Sequence, residues 1–268
     1  MITTLTSATE REPSNAHGLT IVVPAYNEDR HIATTLHAVI SAAQRRLPAY
    51  EIIMVDDGSR DATGRIADEI ARSEDHMRVI HQKRNQGVGA AYLLGLLQAK
   101  YDYITVVPGD NAFSEAALDS VFGAFGLAPL VVSYRENMEV RAPLRRVLSI
   151  ICTQLMRLVS GQTIRDAQSM FIFPVEIARS FSVQPGYGYH IESLGRLLTV
   201  CPTFVQVPAT LNPRPDANSG VMRASVILLL GTTMLRLALW RIGYLFRTRS
   251  GKHPSEVERA VGRRKGDS

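Results

Sequence analysis

Short apolar runs alternate with amphipathic stretches through the first 110 residues of the chain. The apolar runs are rich in β-branched residues and predict buried strands at residues 19–24, 50–55, 77–81 and 103–107. The stretches between them predict helices at residues 28–46, with Asn27 as N-cap, at 61–73 and at 88–99. A βαβαβαβ series requires parallel strands joined by right-handed crossovers. We therefore predict an α/β fold with a mostly parallel sheet covered by helices on both faces.

The fourth predicted strand runs directly into Asp110, an isolated carboxylate between Gly109 and Asn111. Ligands of open α/β sheets bind at the carboxyl ends of the strands, so this position suits a ligand-binding residue. Ser114 followed by Glu115 predicts the N-cap of the next helix, which fixes the direction of the loop. A hard cation that bridges phosphates would bind such a carboxylate. Taken alone, Asp110 is better explained as a turn residue beside a glycine, and the neighbouring loops reverse that preference.

Three further loops, residues 25–28, 56–59 and 81–89, follow the other predicted strands and should meet Asp110 at one edge of the sheet. The first turn lacks the glycines of a dinucleotide-binding domain, which argues against a dehydrogenase and a nucleotidyltransferase. Carboxylates at the ends of the first two strands can accept hydrogen bonds from a base and from ribose hydroxyls, and Lys83 and Arg84 can neutralise phosphate. This set predicts a site for a nucleoside diphosphate and a metal ion.

Residues 142–161 predict a helix with Pro143 in its first turn and Gly161 at its C-terminal cap. The simplest interpretation is a core helix whose pair of arginines at 145–146 is solvated. Arg135 and Arg141 lie close by in the sequence, and they make a phosphate-binding cluster an equally good interpretation.

Glu192 lies in the segment GYGYHIESLGRLL, which predicts the beginning of a helix. A carboxylate there can accept a proton from an acceptor hydroxyl. An acceptor that is already a phosphate anion needs no strong base, and Glu192 would then only position it.

The most apolar segment, residues 224–246, is interrupted by Arg236 and Arg241 after its first twelve residues. A helix that spans a bilayer needs about 20 apolar residues. On a helical wheel the leucines and isoleucines lie mostly opposite a polar side formed by Thr232, Arg236, Gly243 and Arg247. We predict an amphipathic interfacial helix, with Trp240 and Tyr244 at headgroup level and arginines reaching the headgroups. A core or dimer helix is the alternative.

Charge is unevenly distributed along the 268 residues. The formal net charge is +5, and residues 223–268 carry ten Lys/Arg against three Asp/Glu, a local charge of +7. This favours a C-terminal patch facing an anionic surface and argues against a nucleic-acid-binding face on the main domain. Cys152 and Cys201 lie in apolar segments without metal-ligand spacing, so we expect neither a disulfide framework nor structural zinc. The polar N-terminus resembles no signal peptide, and we expect a cytoplasmic protein.

Four motifs occur in the order of a known enzyme family: VVPAYNE, VDDGS, the spaced glycines of NQGVGAAYLLG, and the strand-end Asp110. The chain resembles the inverting family-2 glycosyltransferases, which have a Rossmann-like GT-A fold. Over residues 19–220 it is similar to the dolichyl-phosphate mannose synthase group of polyprenyl-phosphate glycosyltransferases. The resemblance implies transfer of a sugar from a GDP- or UDP-sugar to a polyprenyl phosphate, with Mg²⁺ or Mn²⁺ as cofactor.

The resemblance also implies roles for individual residues. Together with the loop residues above, the nucleotide-binding set is Pro24, Tyr26, Glu28, Asp56, Asp57, Lys83 and Arg84. The acceptor-binding set is Arg135, Arg146, Ser149, Asp166 and Gln168. The catalytic set is Asp110, Glu192 and Arg214, of which Arg214 reaches the donor diphosphate. The metal ligands are Asp110 and Asn111.

The chain departs from the family pattern at the metal site. The usual Asp-x-Asp is here Pro108-Gly109-Asp110, and Ala112 replaces a side chain that often also touches the metal. Gly220 stands where related enzymes often carry a lysine. Two consequences of the missing carboxylate are open: weaker metal binding, or substitution by the neutral oxygen of Asn111.

We therefore divide the chain into a disordered tail at residues 1–18, a GT-A domain at 19–222, the interfacial helix at 223–247 and a basic disordered tail at 248–268. The expected enzyme is peripheral on the inner face of the cell membrane and binds no nucleic acid, and homo-oligomerisation is left open. One alternative is a GT-A enzyme that glycosylates a saccharide or small-molecule hydroxyl, with Glu192 or Asp166 as base. Another is a degenerate member that binds nucleotide without turnover.

Overall fold

The structure is a computed structural model that describes residues 18–180, 188–201, 203–213 and 224–249. The tails predicted at the two ends of the chain lie outside these ranges, except for their innermost residues. The described residues form a seven-stranded sheet in the order β3-β2-β1-β4-β6-β5-β7. Its strands are β1 (Leu19–Ala25), β2 (Tyr50–Asp56), β3 (Met77–His81), β4 (Tyr103–Val106), β5 (Leu130–Arg135), β6 (Phe171–Pro174) and β7 (Phe204–Ala209).

Eight α-helices connect and follow these strands in the described ranges. They are α1 (Ile32–Arg46), α2 (Thr63–Ala71), α3 (Val88–Gln98), α4 (Glu115–Gly123), α5 (Pro143–Ser160), α6 (Val175–Arg179), α7 (Tyr189–Val200) and α8 (Ala224–Arg249). A 3₁₀ turn at Met138–Val140 precedes α5.

The predicted parallel half of the sheet is confirmed. Strands β1 to β4 pair in parallel, with β1 between β2 and β4 and β3 at the edge. The sheet is mixed because β6 runs antiparallel to both β4 and β5, while β5 and β7 are parallel. The carboxyl ends of the first four strands therefore share one edge, as the sequence predicted for the four polar loops.

The prediction that Asn27 caps the first helix is wrong. Helix α1 begins at Ile32, and no side chain caps its first turn. Asn27 has a left-handed backbone with φ of 53°, and its Oδ1 accepts a hydrogen bond from the backbone amide of Arg60. The side chain thus ties two loops together, because residue 60 is brought beside it by the pairing of β1 with β2.

Two apolar layers hold the helices on the sheet. Alternate side chains of β1 and β2 point to opposite faces, so Ile21 and Val23 enter one cluster while Val22 enters the other. Helices α1, α2 and α4 contribute to the first cluster, and α3, α5, α6, α7 and α8 contribute to the second. The core therefore lies on both sides of the sheet, and the polar loops are left at its edge.

Helix α8 packs against this second layer through Met234 and Leu237, which are 6% and 1% exposed. Trp240 and Tyr244, predicted at headgroup level, are partly buried: their rings pack against the core and stack on each other with centroids 5.4 Å apart. Their place at headgroup level stays a prediction. None of the helices in the described ranges combines the length and apolarity needed to cross a membrane.

Candidate active site

The loop after β1 is joined to the loop after β2 by backbone-to-side-chain hydrogen bonds. The amide of Asn27 donates to Ser59 Oγ (3.0 Å), and the amide of Glu28 donates to Thr63 Oγ1 (2.8 Å). Tyr26, at the end of β1, remains 39% exposed. The loops after β1 and β2 are thus held together at the carboxyl ends of these strands. They carry four of the residues predicted to contact the nucleotide, Tyr26, Glu28, Asp56 and Asp57.

Asp56, the last residue of β2, is 6% exposed and is held at both carboxylate oxygens. Oδ1 accepts from the backbone amide of Ser59 at 3.0 Å. Oδ2 lies 3.0 Å from Nδ1 of His81, the last residue of β3 and the register partner of Asp56. The orientation of this carboxylate is therefore fixed by the protein before any ligand binds.

Asp57 braces the loop after β3. Its two oxygens accept from the backbone amides of Gln86 (2.8 Å) and Gly87 (2.7 Å), and its side chain is buried. Gly58 beside it has φ of +73°, and a Cβ there would lie 2.6 Å from the backbone carbon of Arg84. The second and third loops are thus in close contact, which positions the exposed Lys83 and Arg84 at the same edge.

The loop that carries Asp110 is held by Thr35 of α1, a fully buried residue that the sequence analysis did not single out. Thr35 Oγ1 accepts from the amide of Asn111 at 3.0 Å, and its one proton is shared between the carbonyls of Gly109 and His31, each at 3.1 Å. The amide of Gly109 also donates to the carbonyl of Pro24 at the end of β1. Asp110 Oδ1 accepts from the amide of Ala112 (3.2 Å). The carboxylate is thereby presented at the edge shared with Asp56.

Ser114 is the N-cap of α4, as predicted, since its side chain accepts from the amide of Ala117. Between Asp110 and this cap, the segment that follows β7 crosses the loop. Asn212 Nδ2 donates to the backbone oxygen and to Oδ1 of Asn111, each at 3.1 Å. Arg214, which was predicted to reach the diphosphate, lies outside the described residues, two positions after Asn212.

The described residues contain no cluster of three or more His, Cys, Asp or Glu side chains that could hold a metal ion by themselves. Asp110 offers one carboxylate, and Oδ1 of Asn111 already accepts from Asn212. Magnesium-type cations are commonly bound by one or two carboxylates together with substrate phosphates. The site therefore fits a cation that arrives with, or is completed by, a diphosphate.

Four of the five predicted acceptor residues form one hydrogen-bonded network. Arg135 Nε and Nη2 donate to Asp166 Oδ2 and Oδ1, at 2.5 and 2.8 Å, and both side chains are buried. The backbone amide of Gln168 donates to Asp166 Oδ1, and the side-chain Oε1 of Gln168 accepts from Ser149 Oγ of α5. Arg141, also noted in the sequence, donates to Ser149 at 3.0 Å.

The pairing of Arg135 with Asp166 limits what either group can do. Burial raises the pKa of the Asp166 carboxyl, but the hydrogen bonds and charge of Arg135 outweigh burial and lower this pKa overall. Asp166 therefore stays ionised and paired, which makes it a poor general base. Arg146, the fifth predicted residue, contacts the carbonyl of Glu139 outside this network.

Glu192 is 2% exposed and lies between two arginines. Arg196, one turn further along α7, donates to Oε1 at 2.5 Å, and Arg236 of α8 donates to Oε2 at 3.5 Å. This arrangement links α7 to α8, and the predicted catalytic role of Glu192 stays a prediction. Arg236 was expected to reach headgroups; its side chain is 46% exposed and one of its nitrogens contacts Glu192, so this expectation stays a prediction.

The outward side of α5 and α8 is apolar. Twelve of the sixteen exposed large hydrophobic residues in the described part of the chain lie on these two adjacent helices. On α5 they are Leu144, Val147, Ile150, Ile151, Leu155 and Leu158, and on α8 they are Leu228, Leu235, Leu239, Ile242, Leu245 and Phe246. We call these residues the apolar face. Arg236 and Arg241 of α8 hydrogen-bond inward, to Glu192 and to the carbonyl of Val159, so α8 has polar contacts with the domain and leucines outside.

A mostly parallel seven-stranded sheet with helices on both faces, and with polar loops at the carboxyl ends of β1, β2 and β4, is the arrangement of the GT-A glycosyltransferase fold. The chain matches Glycosyl transferase family 2 over residues 20–179. It belongs to this family and is a glycosyltransferase.

Named relatives agree with this assignment. A dolichyl-phosphate beta-glucosyltransferase of Trichomonas vaginalis is 27% identical over 83% of this chain and 73% of its own. The polyprenol monophosphomannose synthase of Mycolicibacterium smegmatis is 28% identical over 85% of this chain and 89% of its own. Among solved structures, glucosyl-3-phosphoglycerate synthase from Mycobacterium tuberculosis, in complex with Mn²⁺, UDP-glucose and phosphoglyceric acid, has a TM-score of 0.60, 21% identity and coverage of 81% and 80%. At 21% identity, the similarity to glucosyl-3-phosphoglycerate synthase shows a shared fold only.

Proposed function

We propose that the protein transfers a sugar from a nucleotide-sugar to a polyprenyl phosphate at a membrane surface. The two named relatives act on, or make, polyprenyl-linked phosphates, and both align along most of this chain. We further propose that the enzyme is peripheral on the cytoplasmic face of the membrane. The experiment below compares UDP- and GDP-sugars as donors.

The apolar face of α5 and α8 carries this proposal. Helices of a protein surrounded by water place polar groups outside and apolar groups inside, and an exposed contiguous apolar surface marks an interaction site. The partner we propose is an anionic bilayer, because neither α5 nor α8 contains an Asp or Glu, whereas together they carry seven arginines. Anionic lipids attract such helices, and acyl chains accept the leucines.

Helix α5 connects this face to the acceptor network. Its outer side carries Leu155 and Leu158, while its inner side presents Ser149 to Gln168 and Arg141. A lipid whose chain lies along the apolar face would therefore have only α5 between its chain and the network of Ser149, Gln168 and Arg141. Its phosphate could reach that network across α5. We propose that Arg141 and Arg146 supply charge to that phosphate and that Arg135 orients Asp166.

The donor site of the proposal is the edge formed by the first four loops. The fixed carboxylate of Asp56 accepts a hydrogen bond from the nucleoside, Tyr26 and Glu28 adjoin it, and Lys83 and Arg84 face the phosphates. Asp110 would hold Mg²⁺ or Mn²⁺ together with diphosphate oxygens. The bound cation supplies neutralisation of the negative charge on the leaving group.

The proposed reaction is a single displacement with inversion. An oxygen of the acceptor phosphate forms a bond to the anomeric carbon as the bond from that carbon to the donor diphosphate breaks. The nucleoside diphosphate leaves with the electron pair. Since the attacking phosphate is already an anion, no side chain has to remove a proton, and catalysis consists of positioning and charge stabilisation. A mechanism without a general base is consistent with the ion pairs of Asp166 and Glu192, because each of these carboxylates is paired with arginine.

The test is a transfer assay with purified protein, labelled UDP- and GDP-sugars, and Mg²⁺ or Mn²⁺. One set of reactions contains undecaprenyl phosphate in anionic liposomes, and the other contains water-soluble saccharides. We expect label to enter the lipid fraction, and we expect Asp110→Asn to abolish this transfer. Transfer only to a saccharide would overturn the lipid acceptor. Absence of both transfer and donor hydrolysis would favour a nucleotide-binding protein without turnover.

A further inference from the structure

The ring of His81 lies between two carboxylates at the edge of the proposed donor site. Nδ1 is 3.0 Å from Oδ2 of Asp56, and Nε2 is 3.1 Å from Oδ1 of Asp68 on α2. An ionised carboxylate only accepts hydrogen bonds, so both contacts are hydrogen bonds when both ring nitrogens carry a proton. The geometry therefore suits an imidazolium ion, in which each ring nitrogen has a carboxylate to donate to.

The surroundings favour the same protonation state. The charged groups that act on the ring are Asp56 from β2 and Asp68 from α2. The hydrogen bond to Asp56 raises the pKa of His81, burial opposes it, and Asp68 adds to the rise. The other charged residues of α2 near this point, Arg65 and Glu69, pair with each other at 2.7 Å. Lys83 and Arg84 follow His81 in the chain and are exposed to solvent.

Helix α2 closes one side of the contact between His81 and the buried carboxylate of Asp56. Its residue Gly64 faces the pair, and a Cβ at this position would lie 2.6 Å from Asp56 Oδ2 and 3.0 Å from Cε1 of His81. The backbone of α2 thus rests directly on the contact. Because Ser59 holds the other oxygen of Asp56, the His81 contact completes the immobilisation of this carboxylate.

We propose that His81 is a positioning residue for the donor: its imidazolium form holds Asp56 in the orientation that receives the nucleoside, so donor affinity falls as the ring loses its proton. This inference rests on the proposed role of Asp56 in nucleotide binding. A neutral ring has one N–H group and one lone pair, and the lone pair must then face either Asp56 or Asp68. In the first case Asp56 turns away. In the second, Nδ1–H still donates to Asp56, but the ring no longer carries the charge that strengthens this hydrogen bond, and its contact with Asp68 of α2 is lost.

The experiment is calorimetric titration of the full-length protein with UDP and with GDP, in the presence of Mg²⁺, from about pH 6 to about pH 9. We compare wild type with His81→Asn, whose amide can donate to Asp56 but does not titrate. Ionisation of the nucleotide is common to both proteins and cancels in the ratio of their dissociation constants. We expect wild-type affinity, relative to His81→Asn, to fall about tenfold across this range, as for the loss of one charge-assisted hydrogen bond. The ¹⁵N chemical shifts of His81 should show an imidazolium at the lower end of the range.

The outcomes separate this inference from the proposed function. If neither nucleotide binds at any pH, the donor site itself fails, and the inference fails with it. If a nucleotide binds but the ratio stays constant with pH, or the ring is neutral throughout, only the inference is overturned. Asp68→Asn is a second variant for the case in which His81→Asn does not fold. It removes one carboxylate from the ring and should shift the midpoint of the pH profile downwards while nucleotide binding persists.

Discussion

Replacing leucines of the apolar face should weaken membrane binding without unfolding the protein. We select Leu158 of α5 with Leu235 and Leu239 of α8, which are 78%, 61% and 61% exposed, and change all three to glutamine. Their exposed parts amount to about two whole leucine side chains, and burial of one such side chain contributes about 2 kcal/mol. Complete insertion would thus contribute about 4 kcal/mol. If about half of this surface enters the hydrocarbon, about 2 kcal/mol is lost, which weakens partitioning about thirtyfold.

The assay is co-sedimentation with anionic liposomes at low and high salt, together with a thermal unfolding curve. Substitutions at exposed positions usually change the free energy of unfolding by less than about 0.5 kcal/mol each, so the melting temperature should change little. Leu97→Gln on α3 is the matched control, since Leu97 is 73% exposed but lies outside the apolar face. Wild type should pellet in a salt-sensitive manner, because the arginines of α5 and α8 are attracted to the lipid charge.

Three results would refute the reasoning. They are a triple variant that sediments like wild type, a Leu97→Gln variant that loses as much binding as the triple variant, and wild type that stays in solution at both salt concentrations. Deleting α8 would be a poor substitute for these point changes. Met234 and Leu237 are buried against the core, so a deletion would expose core residues and confuse membrane binding with stability.

Four further outcomes are expected. Asp110→Ala should abolish sugar transfer with little change in melting temperature, since Asp110 lies half-buried on a loop, and transfer that survives in excess EDTA would remove the metal from the mechanism. Thr35→Val should lower kcat and destabilise the fold by about 1–3 kcal/mol, because the backbone amide of Asn111, in the loop that carries Asp110, loses its hydrogen-bond acceptor. An unchanged midpoint of urea unfolding would contradict this. Arg135→Met should cost about 3–5 kcal/mol of unfolding free energy by leaving the Asp166 charge buried and unpaired, and adding Asp166→Leu should recover much of the loss in a double-mutant cycle. Burial lowers the pKa of His190 to about 4, so this residue should reduce stability as the pH falls below its ordinary value of about 6.5, and His190→Phe should flatten the acid side of the stability profile.

Local patterns in the sequence predicted the strands β1 to β4, the helices between them and the common edge at which their loops meet. This succeeded because apolar runs, β-branched residues and turn residues act over a few positions, and right-handed crossovers then dictate parallel pairing. The Ser114 cap and the Gly161 helix end were likewise predicted, since each depends on residues within one turn. The place of Asp110 at that edge follows from the same local rules.

Tertiary contacts decided what the polar residues do. Asn27 accepts a hydrogen bond from the backbone amide of Arg60, 33 residues away. Arg135 is paired with Asp166, 31 residues later, and Glu192 is paired with Arg236 of α8. No local pattern encodes these partners, because they depend on strand register and helix packing between distant segments. The same holds for β6, whose antiparallel pairing with β4 and β5 joins strands far apart in the sequence.

The orientation of α8 shows the distinction most clearly. The sequence by itself determined that this helix has a polar and an apolar side, since that follows from the 3.6-residue period. Which side meets the domain was decided only by the fold: Thr233, Met234 and Leu237 are buried against it. At the border of this contact, Glu192 and the carbonyl of Val159 accept hydrogen bonds from Arg236 and Arg241. A buried carboxylate such as Glu192 is costly when it loses its cationic partners, and Arg196 and Arg236 both pair with it. Leu235 and Leu239 are therefore exposed while Leu237 is buried, and this division depends on contacts between distant segments that no local pattern encodes.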